Sequence, residues 1–335
     1  MCAWSVAAVD IHDDAAFHAW WDALRRAIGH ARDYSTYWSL REAQGALRAG
    51  GNSFDQHAFA VMVDGETVAA AAVTLPKLDN LHVAYVSVGV VPEHRRRGLG
   101  AALLDQVQRL CGEHGRHTMQ AEVDVPIDTD HSPGSAFLTA HGFTVGISDL
   151  HRVLDLPVSA DRLSDLAHAA VAHHTAYTLV PWEDVTPDRY MAGFCALQEA
   201  FNEEAPSGDL DVEREVWDEE RVRSRERRSQ AQGRHQQCTA AVMADGAVVA
   251  LTEMVTSEGT PERALQGGTL VMPGHRGHRL GLATKVANLQ HFQRRFPDVQ
   301  AVHSWNAAEN THMVAINDAL GFRPVEQLIE MQRRL

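Results

Sequence analysis

The sequence repeats itself, and this repeat constrains the fold more than any other feature. The segment VGVVPEHRRRGLG in the first half is matched by TLVMPGHRGHRLG in the second, with Pro92 and Pro273 standing 181 residues apart. The segments AHGF (140–143) and ALGF (319–322) match at an offset of 179. Two anchors at nearly one spacing indicate a duplication, and a chain of 335 residues has room for two domains of ordinary size.

Both copies show the same coarse order of elements, which we predict from apolar periodicity and turn residues. In the first copy the predicted elements are helices 17–28 and 37–47, strands 57–63, 67–74 and 83–91, helix 98–113, strand 118–125, a helix ending near Gly142, and strand 144–154. In the second they are helices 190–205 and 212–230, strands 239–243, 248–255 and 268–272, helix 281–296, strand 301–305 and helix 311–320. The sequence therefore predicts domains at 1–158 and 176–335, joined by a linking helix within 159–175.

Composition narrows the class of protein. The formal net charge of −14 argues against a nucleic-acid partner, because phosphate binding needs surplus Lys and Arg. No window is apolar enough to span a membrane, and the N-terminus shows no signal peptide, so we expect a cytoplasmic protein with no membrane partner. The four cysteines, Cys2, Cys111, Cys195 and Cys238, are far apart, and this spacing predicts neither a disulfide framework nor a metal site.

The loop after the valine-rich strand 83–91 has the chemistry of an anion site. A buried strand that leads into a glycine-containing loop and then a helix brings free backbone N–H groups and the positive end of a helix dipole together. Gly98 and Gly100 let the backbone approach a phosphate closely, while residues 95–97 are three consecutive arginines. The spacing fits neither the dinucleotide pattern GxGxxG nor the nucleotide triphosphate pattern GxxxxGK[ST].

The pattern Arg95-x-x-Gly98-x-Gly100 after a V-x-V-x-P strand resembles the acyl-CoA signature of the GNAT superfamily of N-acetyltransferases, over nearly the whole chain as two consecutive copies. The resemblance implies two mixed α/β (α+β) domains, each a mixed central sheet with helices on both faces and two strands that splay apart for the pantetheine arm of acetyl-CoA or another acyl-CoA. It implies Val88, Gly89 and Val90 as pantetheine contacts, and Arg95, Arg96, Arg97, Gly98, Leu99 and Gly100 as pyrophosphate contacts.

The second copy departs from the signature. Aligned on the proline, it has Arg279 where the first copy has Gly98, and this side chain is predicted to crowd the cofactor path. Shifted by two residues, His278-x-x-Gly281 recovers the glycine spacing but loses the leading arginine. The copy nevertheless keeps Asn310, at a position that often contacts coenzyme A in the family.

Acyl transfer from a thioester to an amine requires a neutral amine, a stabilised oxyanion and a proton for the leaving thiolate. In many GNAT enzymes, a tyrosine four residues before the Gly-Phe pair supplies that proton. The corresponding positions are Leu138 and Asn317, and neither side chain can act as that acid. The candidate catalytic residues on strands facing the cleft are His82, Tyr85, Glu253, His303 and Ser304.

The resemblance implies transfer of an acetyl or other short acyl group from coenzyme A to an amine of a small molecule, in a ternary complex. The acidic segment 203–220 favours a cationic acceptor such as a polyamine or an amino-sugar. Two alternatives stay open. The donor can be the thioester of an acyl carrier protein, or the protein can be a non-catalytic sensor or scaffold that binds acyl-CoA.

Overall fold

A computed structural model describes residues 4–49 and 53–335. The elements of the first half are β1 (Val6–Ala8), α1 (Asp14–Ile28), α2 (Leu40–Arg48), β2 (Phe54–Val63), β3 (Glu66–Pro76), β4 (Val83–Val90), α3 (Leu99–Glu113), β5 (Thr118–Pro126), α4 (Pro133–Ala140) and β6 (Thr144–Asp155). Those of the second half are α5 (Ala160–Val171), β7 (Tyr177–Glu183), α6 (Met191–Glu204), α7 (Glu219–Ala231), β8 (Arg234–Met243), β9 (Val248–Ser257), β10 (Thr260–Val271), α8 (Leu280–Arg295), β11 (Ala301–Ala307), α9 (Thr311–Leu320) and β12 (Arg323–Arg334).

The chain forms two compact units whose boundaries differ from the predicted domains. The first unit comprises Met1–Ile147, Ser207–Glu213 and Ile329–Leu335, and the second comprises Ser148–Pro206 and Arg214–Leu328. Hydrogen bonds explain why the two short segments belong to the first unit. Thr118 donates to the Asp211 carboxylate over 3.2 Å, and the N–H of Leu335 donates to the carbonyl of His117 over 2.7 Å.

The first unit is built on a mixed sheet with strand order β1-β2-β3-β4-β5. All neighbours are antiparallel except β4 and β5, which are parallel. A Cβ atom added at Gly89 of β4 would lie 2.8 Å from the Cβ of Ala27, so α1 packs closely on that face. Val90, the next residue, packs near Gly100 of α3. Successive strand residues face opposite sides of a sheet, so the two helices cover opposite faces.

The second unit repeats this arrangement with strand order β6-β11-β10-β9-β8-β7, to which β6 contributes residues 149–155. The parallel pair is now β10 and β11. Ala240 of β8 packs in one cluster with Phe194 of α6, whereas the next residue, Ala241, packs in another with Leu280 of α8. Successive strand residues face opposite sides of a sheet, so helices again cover both faces, and the predicted fold class is confirmed.

Large apolar side chains and small strand residues form the two cores. In the first unit, Trp20 of α1 is 2% exposed, and its indole N–H donates to the carbonyl of Ala71 over 2.9 Å. The alanines at 69–71 of β3 are fully buried there. In the second unit, Phe292 and Leu289 of α8 pack in one cluster with Val302 of β11.

Several predicted elements begin elsewhere or were missed. The helix predicted from residue 212 begins at Glu219, because the Asp218 carboxylate accepts from the N–H of Arg221 over 2.8 Å and caps it. The helix predicted as a linker is α5, which packs on α8 inside the second unit. Strands β1, β7 and β12 were not predicted. Strands β1 and β7 lie at sheet edges and β12 is the last strand of the chain, and the alternation of apolar and polar residues in these segments is too weak to predict a strand.

Two expectations from composition can be compared with the structure. Over residues 4–49 and 53–335, none of the helices is both long enough and apolar enough to cross a membrane. Cys111, Cys195 and Cys238 are free, buried thiols, and burial raises the pKa of each. Cys2 lies outside the described residues.

Candidate functional site

In each unit, the parallel strand pair is hydrogen-bonded over three residues and then opens. Strands β4 and β5 pair over residues 83–85 and 118–120, and strands β10 and β11 pair over residues 263–265 and 301–303. Beyond those residues, the paired registers end within the described parts of these strands. The open edge of β4, or of β10, then leads straight into the loop that precedes the next helix. The predicted splay is thus present twice.

The two loops have the same backbone with the glycine in different places. Each starts with a short 3-10 helix and has two residues with left-handed φ angles. In the first loop these are Arg96 (φ 61°) and Gly98 (φ 84°), and in the second they are Gly277 (φ 84°) and Arg279 (φ 53°). The alignment on the proline is therefore the structural one, and the alignment shifted by two residues is wrong.

The first loop combines free donors with a free cation. Helix α3 has no side-chain cap, so the N–H groups of its first turn have no partner within the helix. Arg95 braces the loop by donating to the carbonyls of Val90 (3.0 Å) and Ala27 (3.1 Å). Arg97 donates to a backbone carbonyl of the loop. The exposed guanidinium of Arg96 has no ion pair or hydrogen bond to any residue that the structure describes.

The two glycines of the first loop have different roles. A Cβ atom added at Gly98 would meet nothing within 4 Å, so the backbone there is open to a ligand. A Cβ atom added at Gly100 would lie 3.2 Å from the Phe137 ring, so this glycine allows α3 to pack against α4 rather than admitting a phosphate. Leu99 is buried in the core and can offer only its backbone.

The charges of the second loop are held within its own unit. Arg276, the counterpart of Arg95, forms an ion pair with Glu204 at 2.6 Å. Arg279 donates to the carbonyl of Ala169 at the end of α5 over 2.9 Å. Its side chain is thus engaged with α5, contrary to the prediction that it crowds the cofactor path. Helix α8 also begins without a side-chain cap, so the backbone donors resemble those of the first loop.

Asn310, predicted as a cofactor contact, caps α9. Its side-chain oxygen accepts a hydrogen bond from the N–H of Met313 over 3.2 Å. An N-cap asparagine of this kind stabilises the first turn of a helix. The oxygen of Asn310 is therefore occupied, and its amide N–H₂ is the part that can serve as a donor.

Of the two predicted catalytic residues of the first unit, Tyr85 lies on β4 and His82 lies just before it. Tyr85 is the last residue that pairs with β5, and it is 37% exposed at the point where the strands open. His82 precedes β4, and its ring nitrogens lie 3.3 Å from the carboxylates of Asp211 and Glu213. Burial would raise the pKa of Asp211, but His82, Thr118 and Arg334 hold it below its ordinary value. His82 therefore fastens the segment 207–213.

His303 is the counterpart of Gln120 at the opening of the second splay, and it is one end of a buried array. Its Nδ1 lies 2.8 Å from Nε2 of His151, whose Nδ1 lies 3.1 Å from the Glu326 carboxylate. Trp305 stacks on His151. Burial, together with the neighbouring His151 and Arg263, lowers the pKa of His303 to about 3. A neutral ring of this kind can orient an amine, but it accepts a proton poorly near neutral pH.

Glu253, another candidate in the second unit, is 4% exposed on β9. Its carboxylate forms an ion pair with Arg225 at 2.8 Å and accepts a hydrogen bond from Gln236. These two donors occupy the carboxylate and hold it in place on the strand. Its neighbour on β10 is Gly267, where an added Cβ would lie 3.2 Å from the Glu253 Cβ.

Strand β10 bulges where β4 does not. The register between β10 and β9 shifts between Gln266 and Thr269, whereas β4 pairs with β3 without a shift. A bulge leaves backbone groups unpaired and re-aims the strand, and bulges are common beside active sites. At this bulge the Gln266 side chain donates to the carbonyl of Gly267 over 3.1 Å and to the carbonyl of Glu253 over 2.7 Å, which replaces part of the broken strand pairing.

Ser304, the last candidate, belongs to a polar group that includes a residue the sequence reasoning missed. Its hydroxyl donates to the side-chain oxygen of Asn306 over 3.3 Å, and Asn306 also accepts from Asn317 over 2.5 Å. Lys285 of α8 completes the group by donating to the Asn317 oxygen over 2.8 Å. The available signal was comparison of the copies, because the position of Lys285 in the first copy is Leu104.

Residues 14–131 match the acetyltransferase (GNAT) family. A search of curated proteins gives no match. Among solved structures, the chain is similar to a tandem GNAT protein from the clavulanic acid biosynthesis pathway, solved without acetyl-CoA, with 29% identity and a TM-score of 0.82. This similarity covers 99% of the present chain and 98% of the other.

Two further solved structures share the fold. A GCN5-related N-acetyltransferase from Sphaerobacter thermophilus is 16% identical with a TM-score of 0.64, covering 99% and 95% of the two chains. The glucosamine N-acetyltransferase region of a fungal multi-domain β-N-acetylglucosaminidase is 12% identical with a TM-score of 0.68, covering 99% of this chain and 38% of the other. Residues 14–131 thus match the acetyltransferase (GNAT) family, and the two splays, the two loops and the similarity to a tandem GNAT protein show two consecutive copies of the GNAT fold.

Proposed function

We propose that this protein transfers an acetyl or other short acyl group from coenzyme A to an amine of a small molecule, in a ternary complex. The observation that carries the proposal is the path in the first unit from the opened edge of β4 to the uncapped start of α3. Along that path lie strand residues 88–90, beyond the pairing with β5, and the free guanidinium of Arg96; within the strand, the carbonyl of Val90 is already bonded by Arg95.

Different groups along this path suit different parts of coenzyme A. The N–H groups of the first turn of α3 and the Arg96 guanidinium suit a pyrophosphate. The edge of β4 at residues 88–90 suits the amides of a pantetheine arm, since an unpaired strand edge offers donors and acceptors in a row. Fixing the thioester beside a bound amine then supplies much of the rate by proximity.

A reciprocal exchange of the two loop residues tests the donor site. Gly98→Arg gives the first loop the residue of the second, and the backbone accepts arginine at this φ because Arg279 adopts it. Arg279→Gly makes the opposite change. We expect Gly98→Arg to weaken acetyl-CoA binding in calorimetry by about tenfold or more, a loss of about 1.4 kcal/mol. Unchanged binding in Gly98→Arg, with loss only in variants of the second loop, would reverse the assignment.

Release of free thiol with a panel of amines tests the transfer itself. We expect release from acetyl-CoA that depends on an amine. Binding of acetyl-CoA without release across the whole panel would favour the sensor or scaffold. Release only when the acyl group is presented on an acyl carrier protein would favour that donor, since the pantetheine thioester is the same.

The charged groups near the first and second loops bear on which acceptor the protein takes. Glu203 forms an ion pair with Arg214 at 2.8 Å, and Glu204 pairs with Arg276, so these carboxylates are already partnered. A cleft of about 420 Å³ beside the first loop is lined by Arg25 and other polar groups. Arg25 is itself paired with Asp22 at 2.6 Å, and Glu93 also lines the cleft, so these features support a small polar acceptor that offers both an amine and hydrogen-bonding groups over a polyamine. A polyamine as the preferred member of the panel would contradict this.

A further inference from the structure

Four positions on the helix side of the splay are polar in the second unit and apolar in the first. Equivalence follows from the aligned prolines for α8 and α3, from the Gly-Phe pairs for α9 and α4, and from the first paired residues for β11 and β5. The pairs, with the second unit first, are Lys285 and Leu104, Asn317 and Leu138, Ser304 and Ala121, and Asn306 and Val123. The change is concerted and confined to one place in the fold.

Lys285 lies in this place without a counter-charge. It is 3% exposed, and the groups that face it are neutral: the Asn317 amide at 2.8 Å, the Met313 sulfur at 3.9 Å and the Phe322 ring at 5.4 Å. Among the residues described, no carboxylate forms an ion pair with it. Burying an ammonium group without a carboxylate is costly, whereas Leu104 fills the same position in the first unit at no such cost. A buried lysine that lowers the stability of the fold in this way indicates a residue with a function.

Hydrogen bonds connect Lys285 to the opened strand. Asn317 links it to Asn306, which lies three residues beyond His303, the last residue of β11 that pairs with β10. Ser304 joins the same group from the first unpaired position. The bulge of β10 lies on the other side of the opening. The polar group therefore lines the splay from the side of α8 and α9.

We infer that Lys285 is the proton donor to the thiolate that leaves when an acyl thioester reacts in the splay of the second unit, so that the second unit is a catalytic copy. This inference rests on the proposed function of acyl transfer. The acceptor nitrogen attacks the carbonyl carbon, a C–N bond forms, the C–S bond breaks, and the sulfur takes a proton from Nζ of Lys285. The nitrogen loses one proton to water and Lys285 regains one, so the protons balance.

The acidity of Lys285 suits this role. Burial lowers its pKa from 10.5 to about 7, so the group can release a proton near neutral pH and recover it between turnovers. Asn317 holds the amine in place through its side-chain oxygen. Because the donor must be protonated, kcat should fall as the pH rises above about 7.

The test compares Lys285→Met with Leu104→Met, the same residue placed at the matching position of the first unit. Thiol release is measured for the full chain between about pH 6 and about pH 9, with kcat and KM separated. Because the proposed site of the first unit can also turn over, the expectation concerns the share of kcat that the second unit supplies. We expect Lys285→Met to lower that share, which is the part of kcat that falls above about pH 7, about a hundredfold or more and to leave KM for the thioester unchanged. Leu104→Met should match the wild type. Wild-type kcat in Lys285→Met would overturn the inference.

Lys285→Arg separates the charge from the proton, because arginine keeps its charge but does not release its proton. We expect this variant to be as inactive as Lys285→Met, whereas full activity would show that only the charge is needed. If neither variant folds by circular dichroism, the pH profile of Gly98→Arg decides, because its weakened first loop leaves thiol release mainly to the second unit. A kcat that does not fall above about pH 7 in that variant overturns the inference. Absence of thiol release in the wild type would instead defeat the proposed function.

Discussion

Replacing Lys285 with methionine should make the protein more stable near neutral pH and less stable at high pH. The pKa of Lys285 is about 7 in the folded protein against 10.5 for an ordinary lysine. Each pH unit between two such values is worth about 1.4 kcal/mol, so the buried ammonium costs about 5 kcal/mol below pH 7 and about 4 kcal/mol at pH 7. The cost falls as the pH rises, and it vanishes above the pKa of the unfolded chain.

The methionine also leaves the Asn317 oxygen without its donor, which costs about 1 to 3 kcal/mol at any pH. The net expectation for Lys285→Met is therefore a gain of about 2 kcal/mol at pH 7 and a loss of about 1 to 3 kcal/mol near pH 10.5. The sign follows because the unfolded chain binds the lysine proton more tightly, so the wild type gains stability across that window.

Urea unfolding of the wild type, Lys285→Met and Leu104→Met at several pH values between about 7 and about 10 measures these differences. The stability curves of the wild type and Lys285→Met should cross, while Leu104→Met should stay parallel to the wild type because no titrating group is removed. Parallel curves for all three proteins would refute the argument that the Lys285 ammonium is buried at a cost.

Three further changes test other contacts. Glu204→Gln releases Arg276 from its ion pair, and we expect calorimetry to show tighter acetyl-CoA binding in the second unit; an unchanged affinity would mean that Arg276 does not reach the cofactor. Glu326→Gln weakens the hydrogen bond to His151 and should lower the free energy of unfolding by about 1 to 3 kcal/mol, measured in urea, while no loss would mean that this hydrogen bond does not stabilise the fold. The pKa of Asp211 is lowered in the folded protein, so its stabilisation is present above the ordinary aspartate pKa and is lost as the pH falls through the folded value. Acid unfolding of the Asp211→Asn variant should accordingly show a weaker pH dependence than that of the wild type, and identical curves would contradict this.

The duplication and the glycine-containing loop were enough to predict the repeated fold. Strand 83–91, the helix after it and the two hairpin turns have strong local signals, since β-branched runs and Asp-Gly turns specify structure over few residues. The boundaries of the units could not be predicted in the same way. The segment 207–213 belongs to the first unit through hydrogen bonds to residues such as Thr118, about ninety positions earlier. A local sequence pattern does not predict hydrogen bonds between residues so far apart in the chain.

For the candidate site, too, the local motif could be predicted from the sequence, whereas the contacts between distant residues could not. The cradle of the first loop follows from sequence, because a loop arginine and a left-handed glycine are visible in the motif. The partners of individual side chains are not visible there: Arg276 bonds Glu204, and His303 bonds His151, through folding alone. Lys285 escaped notice because one lysine in an amphipathic helix is ordinarily a surface residue, and its burial depends on how α8 packs.

The composition of the first unit has a consequence for synthesis. Chains fold from the N-terminus as they emerge from the ribosome, and early domains usually finish before later ones are made. Here the first unit includes Ile329–Leu335, so its last strand segment is translated only after the second unit. The first unit is therefore completed after the second one has been made. Cleavage before residue 329 would remove the strand segment that neighbours β5 in the first unit.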